Sequence, residues 1–181
     1  MANALNILIS GFGGQGVLFA GKFLVYLGLV KGRQVSWLPS YGPEMRGGTA
    51  SVSVIISDEP VGSPIVSKPN LLIAMNLPSI DRYEDACVPG ATVICDSSLI
   101  PRKLNRTDVR ALYIPASTLA EENGLKGLAN MIIAGLAARE TELDDLDYAL
   151  KKTVPEKKAH LFGANKTALE LGFNYGRQSH D

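Results

Sequence analysis

The chain has 181 residues, 46% of them hydrophobic and 20% charged, which predicts one soluble globular domain with a sizeable core. Lysine and arginine together number 18, as do aspartate and glutamate, so the formal net charge is zero. This balance argues against a nucleic-acid-binding protein, which normally carries a basic excess. The first six residues lack the basic segment of a secretory leader, and the longest apolar stretch, 17–30, is short for a membrane span. We therefore expect a cytoplasmic protein with two reduced, buried thiols, Cys87 and Cys95.

Strand and helix patterns alternate along the first two thirds of the chain. Apolar or alternating segments predict strands at 5–10, 34–38, 49–57, 70–75, 91–95 and 109–114. Helical patterns cover 14–30, a short segment capped by Ser79, and 117–171 with breaks near 123–124, 140–141 and 155. Residues 39–48 are expected to form a loop and 172–181 a frayed tail.

These patterns predict an α/β fold with a single domain over 1–181. Its architecture is expected to be three-layer and Rossmann-like, with helices on both faces of a largely parallel sheet and a C-terminal helical segment.

A glycine-rich turn follows the first predicted strand and opens the first helix. Its residues are Gly11, Gly13, Gly14, Gln15 and Gly16. Such a turn presents the free N–H groups of a helix N-terminus, so it predicts either an anion site or a tight strand–helix junction. A usual NAD site also needs an acidic residue after the second strand, yet no Asp or Glu precedes Glu44. A P-loop is excluded because no Gly-Lys-Ser/Thr follows the glycines.

A second loop, 40–49, combines an aromatic ring, a carboxylate, a guanidinium and three glycines within ten residues. Its candidate binding residues are Tyr41, Gly42, Pro43, Glu44, Arg46, Gly47 and Gly48. Loops at the carboxyl edge of a parallel sheet are where such folds bind ligands. Arg46 can fork onto a carboxylate or phosphate, and Tyr41 offers a stacking face. The alternative is a surface turn with an ordinary Glu44–Arg46 contact.

Few other residues suggest chemistry. Asn130 interrupts an otherwise apolar helical stripe and either hydrogen-bonds a neighbouring loop or faces solvent. We predict no catalytic residue and no metal site, because the two histidines, His160 and His180, have no nucleophile or paired carboxylates to work with. Two cysteines are too few for an iron–sulfur cluster, which needs about four.

Together, the two loops resemble those of the gamma subunit of the thiamine-diphosphate-dependent 2-oxoacid:ferredoxin oxidoreductases. The resemblance runs over about residues 5–172 and rests on 5–16, 40–56, 62–66, 70–75, the helix around Asn130, and Asn165. It implies an accessory subunit, incomplete as an enzyme by itself. The complex would carry out oxidative decarboxylation of a 2-oxoacid to acyl-CoA in anaerobic metabolism, with electrons passing to ferredoxin.

The resemblance also implies which groups the partners hold. Thiamine diphosphate and magnesium would lie with alpha and beta subunits, and iron–sulfur clusters in beta or a ferredoxin-like delta subunit. This chain would hold no cofactor alone. The glycine loop, the second loop and Asn130 would contribute either to a shared coenzyme A site or to an interface with a partner. No nucleic-acid or membrane partner is expected.

The substrate is expected to be 2-oxoglutarate or a related 2-oxoacid, because the gamma subunit is a short separate chain. One alternative is the smaller subunit of an indolepyruvate:ferredoxin oxidoreductase. Alternatives from other classes are a stand-alone nucleotide-binding oxidoreductase and a scaffold domain without a ligand.

Overall fold

The computed structural model describes residues 4–41 and 49–177. The strands in these ranges are β1 (Leu5–Phe12), β2 (Gln34–Tyr41), β3 (Thr49–Ser57), β4 (Leu71–Ala74), β5 (Thr92–Asp96) and β6 (Arg110–Ile114). The α-helices are α1 (Val17–Val30), α2 (Leu77–Tyr83), α3 (Ala116–Glu122), α4 (Ala129–Glu140), α5 (Leu146–Thr153) and α6 (Phe162–Phe173). Two 3₁₀ segments, Glu84–Ala86 and Glu156–Leu161, follow α2 and α5.

One sheet contains all these strands, in the order β2-β3-β1-β4-β5-β6. The pairs β1–β4, β4–β5 and β5–β6 are parallel, whereas β3 pairs antiparallel with both β1 and β2. Five of the six strands therefore run in the same direction. The predicted α/β class with a largely parallel sheet is confirmed, but the alternating pattern of 49–57 did not predict that β3 runs in reverse.

Helices cover both faces of the sheet, as predicted. On one face, α1 and α4 bury side chains such as Phe23 and Ile132 against Ile9 and Ile73 of the strands. Helices α5 and α6 pack mainly on α1 and α4, and so form the C-terminal helical segment. On the other face, Ile80 of α2 is fully buried in a smaller apolar cluster. These two cores fix the position of the loops at the sheet edge.

Helix α1 lies unusually close to β3 because two of its residues have no side chain. A Cβ placed on Gly21 would lie 2.7 Å from a methyl group of Val52, and one on Gly28 would lie 2.8 Å from Ile56. Both distances are shorter than van der Waals contact, so only glycine permits this approach. The close packing holds the N-terminus of α1 beside the carboxyl end of β1.

Some element boundaries differ from the sequence prediction. Strand β2 continues through Pro39 to Tyr41, where a loop was predicted, because it pairs with β3 along its whole length. Helix α1 begins at Val17, whereas the pattern placed its start at residue 14. The predicted helix breaks near 123–124, 140–141 and 155 are confirmed.

Candidate functional site

The glycine loop joins β1 to α1 through residues 13–16 at the carboxyl edge of the sheet. Gly14 and Gly16 have φ angles of 95° and 76°, which lie in the left-handed region that disfavours a side chain. The N–H of Gln15 donates to the Phe12 carbonyl at 3.1 Å and closes the turn. Gly16 ends the loop as the residue before α1, and no side chain caps the helix. The first turn of α1 also carries no acidic residue, so its N–H groups and dipole favour an anion.

The side chain of Gln15 folds back onto the sheet. Its Oε1 atom accepts a hydrogen bond from the Phe12 N–H at 2.6 Å, and its Nε2 atom donates to the Met75 carbonyl at 3.2 Å. A Cβ placed on Gly11 would lie 2.7 Å from the same Oε1 atom, so a side chain at this position would displace Gln15. Gln15 therefore ties the β1–α1 loop to the end of β4, a role that the sequence did not predict.

A buried polar cluster formed by Ser10, Asn76 and Ser79 lies next to this edge of the sheet. Asn76 caps α2, since its Oδ1 atom accepts from the Ser79 N–H at 2.9 Å. The Ser79 hydroxyl is hydrogen-bonded to Asn76 Oδ1 at 2.6 Å and to the Ser10 hydroxyl at 2.9 Å. The prediction that Ser79 is the cap was wrong, because the helix begins at Leu77, three residues earlier than a cap at Ser79 implies. The residue that caps the helix is Asn76, three positions before Ser79.

Asn130 reaches the glycine loop from the first turn of α4. The residue is 4% exposed, and its Nδ2 atom donates to the Gly16 carbonyl at 3.1 Å. Of the two alternatives left open for Asn130, the structure shows the hydrogen bond to a neighbouring loop. A Cβ on Gly16 would overlap the Asn130 side chain, so residue 16 must be glycine both for its backbone angle and for this contact.

The second loop lies largely outside the described residues, which end at Tyr41 and resume at Thr49. The predicted binding residues Gly42, Pro43, Glu44, Arg46, Gly47 and Gly48 all fall in this gap. The flanking strands are described: Tyr41 pairs with Ala50, and Thr49 pairs with Phe12. The second loop therefore leaves and re-enters the sheet at the same edge as the glycine loop.

A small crevice of about 210 Å³ adjoins the glycine loop. Gly14 and Gln15 line one side of the crevice. Met75, which follows β4, and Lys126 and Gly127, which precede α4, also line it. Lys126 and the N-terminus of α1 favour a negatively charged group here, whereas Glu121, which also lines the crevice, opposes one. A Cβ on Gly14 would meet nothing within 4 Å, so this part of the loop faces open space.

The one carboxylate at the end of β5 has a structural role. Asp96 is fully buried and accepts hydrogen bonds from the Ser117 hydroxyl at 2.6 Å and the Ser98 N–H at 3.1 Å. These bonds join β5 to the start of α3. The Asp96 carboxylate is therefore occupied by hydrogen bonds that join two elements of the fold, and it is not positioned to act as a general acid or base.

The thiols and the described histidine form no catalytic group. Burial raises the pKa of Cys87 to about 11 and that of Cys95 to about 12, so both are protonated at neutral pH. His160 is exposed in the 3₁₀ segment after α5, and His180 lies outside the described residues. Over 4–41 and 49–177, no three His, Cys, Asp or Glu side chains are grouped to bind a metal ion. No helix in the same ranges is long and apolar enough to cross a bilayer.

The fold and the loop define an α/β domain that presents a glycine turn beside the reversed strand β3. A family model described as pyruvate ferredoxin/flavodoxin oxidoreductase matches residues 6–175 of this chain. The chain belongs to this family, and the resemblance drawn from the sequence is confirmed.

Two relatives and one solved structure illustrate the match. The ketoisovalerate oxidoreductase subunit VorA of Methanothermobacter thermautotrophicus is 38% identical over 97% of this chain. This chain spans only 37% of the length of that relative. The 2-oxoglutarate synthase subunit KorC of Methanocaldococcus jannaschii is 35% identical over 83% of this chain and 84% of its own length. The crystal structure of a keto/oxoacid ferredoxin oxidoreductase gamma subunit from Geobacter sulfurreducens PCA superposes with a TM-score of 0.81, at 28% identity and 96% coverage of both chains.

Proposed function

We propose that this chain is the gamma subunit of a thiamine-diphosphate-dependent 2-oxoacid:ferredoxin oxidoreductase. The observation that carries the proposal is the match to a gamma subunit over 96% of both chains. The complex would oxidise 2-oxoglutarate or a related 2-oxoacid to its acyl-CoA and pass the electrons to ferredoxin. The names of the two relatives, which specify ketoisovalerate and 2-oxoglutarate, favour this substrate class over indolepyruvate.

The partners would supply the redox and decarboxylation chemistry. Cys87 and Cys95 are buried in the apolar cluster beneath α2, and the described residues bring no further thiol to them. Such a pair does not fit an iron–sulfur cluster, which needs about four ligands. We therefore assign thiamine diphosphate, magnesium and the clusters to alpha, beta and ferredoxin-like delta subunits in a cytoplasmic complex.

The contribution of this chain would be the glycine loop. Its open face at Gly14, the uncapped N-terminus of α1 and the nearby Lys126 suit a phosphate group of coenzyme A. The same open face also suits close approach of a partner's backbone. The crevice of about 210 Å³ is smaller than a whole coenzyme, so in either case a partner would complete the site.

A stand-alone dinucleotide-binding enzyme is disfavoured by the sheet order. Strand β3 lies between β1 and β2, whereas the dinucleotide fold places the second strand directly beside the first. The acidic residue that would hold a ribose is also missing from β2.

The test is turnover of the complex assembled from this chain and its co-expressed partners, with ferredoxin or a viologen as acceptor. We expect 2-oxoacid- and CoA-dependent reduction that requires this chain. A Gly14→Asn variant adds a side chain to the open face of the loop, and asparagine tolerates the left-handed backbone. Gly32→Asn is the matched control, because Gly32 has a φ of 71° and open space at the far end of α1.

The outcomes separate the two roles of the loop. A raised KM for CoA with intact assembly would assign the loop to the coenzyme, and weakened assembly would assign it to a partner. Equal behaviour of the Gly14 and Gly32 variants would leave the loop without either role. If the chain fails to co-purify with its partners, the subunit assignment itself is wrong.

A further inference from the structure

Helix α1 is apolar on nearly every side. Among its residues, Val17–Val30, Lys22 is the only one that carries a charge. A helix that is apolar all round is normally buried on all sides. The sheet, α4 and α5 cover much of α1, yet Leu29 is 47% exposed. Part of the helix therefore lacks the cover that its composition predicts.

The uncovered part is a stripe along one side of α1. With 3.6 residues in each turn, Leu18, Val25 and Leu29 fall within a sector of about 40°. This sector adjoins the one that holds Gly21 and Gly28, which face the sheet. Leu18 and Val25 are half-buried, and Leu29 is exposed. The stripe consists of aliphatic side chains alone.

Two side chains of β2 continue the stripe. The Trp37 Nε1 atom lies 3.3 Å from the position of a Cβ on Gly21, and a methyl group of Val35 lies 2.9 Å from that of a Cβ on Gly28. Trp37 is 39% exposed, and Val35 is half-buried. Because β2 is at the end of the strand order, no further strand among those described covers them. A contiguous exposed apolar patch of this kind marks an interaction site. We call it the α1–β2 surface and define it by Leu18, Val25, Leu29, Val35 and Trp37.

The α1–β2 surface begins at the edge where a partner is proposed to complete the glycine-loop site. Leu18 is two residues beyond Gly16, and Trp37 is four residues before the end of β2 at Tyr41, where the second loop leaves the sheet. From Leu18 the surface extends about 16 Å along α1 to Leu29. It is therefore continuous with the edge that the proposed function assigns to a partner.

The relatives differ in whether this domain is a separate chain. This chain spans only 37% of VorA, so there the domain shares its polypeptide with a longer remainder. It matches 84% of KorC, where the domain is nearly the whole chain. A neighbour that the polypeptide itself attaches in VorA is held only by surface contacts where the domain is separate. Such contacts need an apolar patch that the chain alone leaves uncovered.

The rim of the α1–β2 surface favours an acidic partner over a second copy of this chain. Lys22 lies beside the stripe, and its Nζ atom is 5.9 Å from the centre of the Tyr26 ring. Among the described residues, Lys22 forms no salt bridge. Two copies would bring two uncompensated lysines to one interface, whereas a partner carboxylate would neutralise the charge.

We propose that the α1–β2 surface is the docking site for the partner subunit that corresponds to the remainder of VorA. Apolar side chains of that partner pack on Leu29 and Trp37, and one of its carboxylates pairs with Lys22. The inference rests on the proposed function for the existence of the partner, and it adds where on this chain the partner binds.

A pair of leucine variants tests the surface in the complex of this chain with its co-expressed partner. Leu29→Arg places a charge on the surface, and a cation near the C-terminus of α1 agrees with the helix dipole. Leu99→Arg is the control, because Leu99 is 42% exposed in the turn after β5, four strands away from β2. We expect Leu29→Arg to raise the dissociation constant at least about tenfold and Leu99→Arg to leave it unchanged. Urea denaturation checks that both variants are folded.

Two further readouts do not depend on the fold of Leu29→Arg. Trp37 is the single tryptophan of the chain, so mass spectrometry can follow its labelling by hydroxyl radicals. We expect labelling of Trp37 to be several-fold lower in the complex than in the free chain. Lys22→Glu should weaken the complex, whereas Lys157→Glu, at an exposed position in the 3₁₀ segment before α6, should not.

The outcomes distinguish this inference from the subunit assignment. If the native chain assembles, equal dissociation constants for the two leucine variants or unchanged labelling of Trp37 would overturn the inference and leave the assignment standing. If the native chain binds no co-expressed partner, both are rejected. A homodimer of the free chain, or its binding to phospholipid vesicles, that Leu29→Arg abolishes without affecting the complex would place a different occupant on the surface and overturn the inference.

Discussion

Gly135 of α4 lies directly against the backbone carbonyl of Leu169 in α6. The contact is reciprocal, because Gly172 of α6 lies in the same way against the carbonyl of Ile132 in α4. A Cβ at either glycine would overlap backbone atoms of the opposite helix, which no side-chain rotation can relieve. The two helices therefore cross at a separation that only a pair of glycines permits.

The first prediction concerns this crossing. Gly135→Ala should lower the free energy of unfolding by about 1–3 kcal/mol or more, since overpacking forces the helices apart. Urea denaturation monitored by circular dichroism measures the change. Gly163→Ala in the same helix α6 is the control: its Cβ would meet nothing within 4 Å, and we expect a gain of about 0.5–1 kcal/mol. Equal changes in the free energy of unfolding for the two variants would contradict the close crossing of α4 and α6.

The second prediction separates backbone strain from contact in the glycine loop. Gly14→Ala and Gly16→Ala each place a side chain on a left-handed backbone, which costs about 1–2 kcal/mol. Only Gly16→Ala also displaces Asn130 from the Gly16 carbonyl, so it should cost at least about 1 kcal/mol more. Chemical denaturation of the two variants side by side gives the difference. The same cost for both would mean that the Asn130 contact does not stabilise the loop.

The third prediction compares two carboxylates that share Arg102. Glu84 is 5% exposed, bonds Arg102 at 3.0 Å, and accepts the backbone N–H groups of Asn105 and Arg106. Glu84→Gln replaces a carboxylate oxygen, which accepts hydrogen bonds, by an amide NH₂ group that faces other donors. The free energy of unfolding should fall by about 1–3 kcal/mol. Asp81, whose side chain is 57% exposed, bonds the same guanidinium, and Asp81→Asn should cost less than about 1 kcal/mol. Thermal denaturation will rank the two variants, and the reverse order would refute this account.

The fourth prediction is a loss of stability at alkaline pH. Burial raises the pKa of Cys95 to about 12 in the folded chain, from 9.0 in the exposed thiol. Below the unfolded pKa the thiol is protonated in both states, and its contribution is fully present. Above it, unfolding releases a proton, so the free energy of unfolding falls as pH rises towards the folded pKa. Urea denaturation under reducing conditions, between neutral pH and about pH 10, should show a steeper decline for the native chain than for Cys95→Ala. Parallel declines would show that the thiol does not contribute.

Much of the fold was predictable from local signals. The spacing of apolar residues indicates which face of a segment is buried, and turn-forming residues indicate where the segment ends. The strands and the helix breaks after α3, α4 and α5 follow from these local signals. The direction of β3 was not predictable, because an alternating pattern identifies a half-buried strand but not whether that strand runs parallel or antiparallel to its neighbours. The length of β2 was missed for a related reason: Ser40 and Pro39 are typical loop residues, yet they pair with β3.

The features of the candidate site also divide into those that the sequence predicts and those that only the folded structure shows. The glycine loop was predictable, since glycine conformation is a local feature, whereas the sequence left open whether Asn130 contacts a loop or faces solvent. The folding back of Gln15 onto Met75 depends on two segments 60 residues apart. The same holds for Asn130 and Asn165, which line one cavity because α6 packs on α4.

Pro39 lies within β2, which is an edge strand because, among the described strands, it pairs only with β3. Proline has no backbone N–H, so the outer edge of β2 cannot offer a continuous row of donors to another chain. Sheet extension by an added strand is therefore disfavoured on this side. The partner subunits proposed above are therefore expected to contact this chain through loops and side chains, and the missing N–H is also expected to disfavour edge-to-edge aggregation of the free chain.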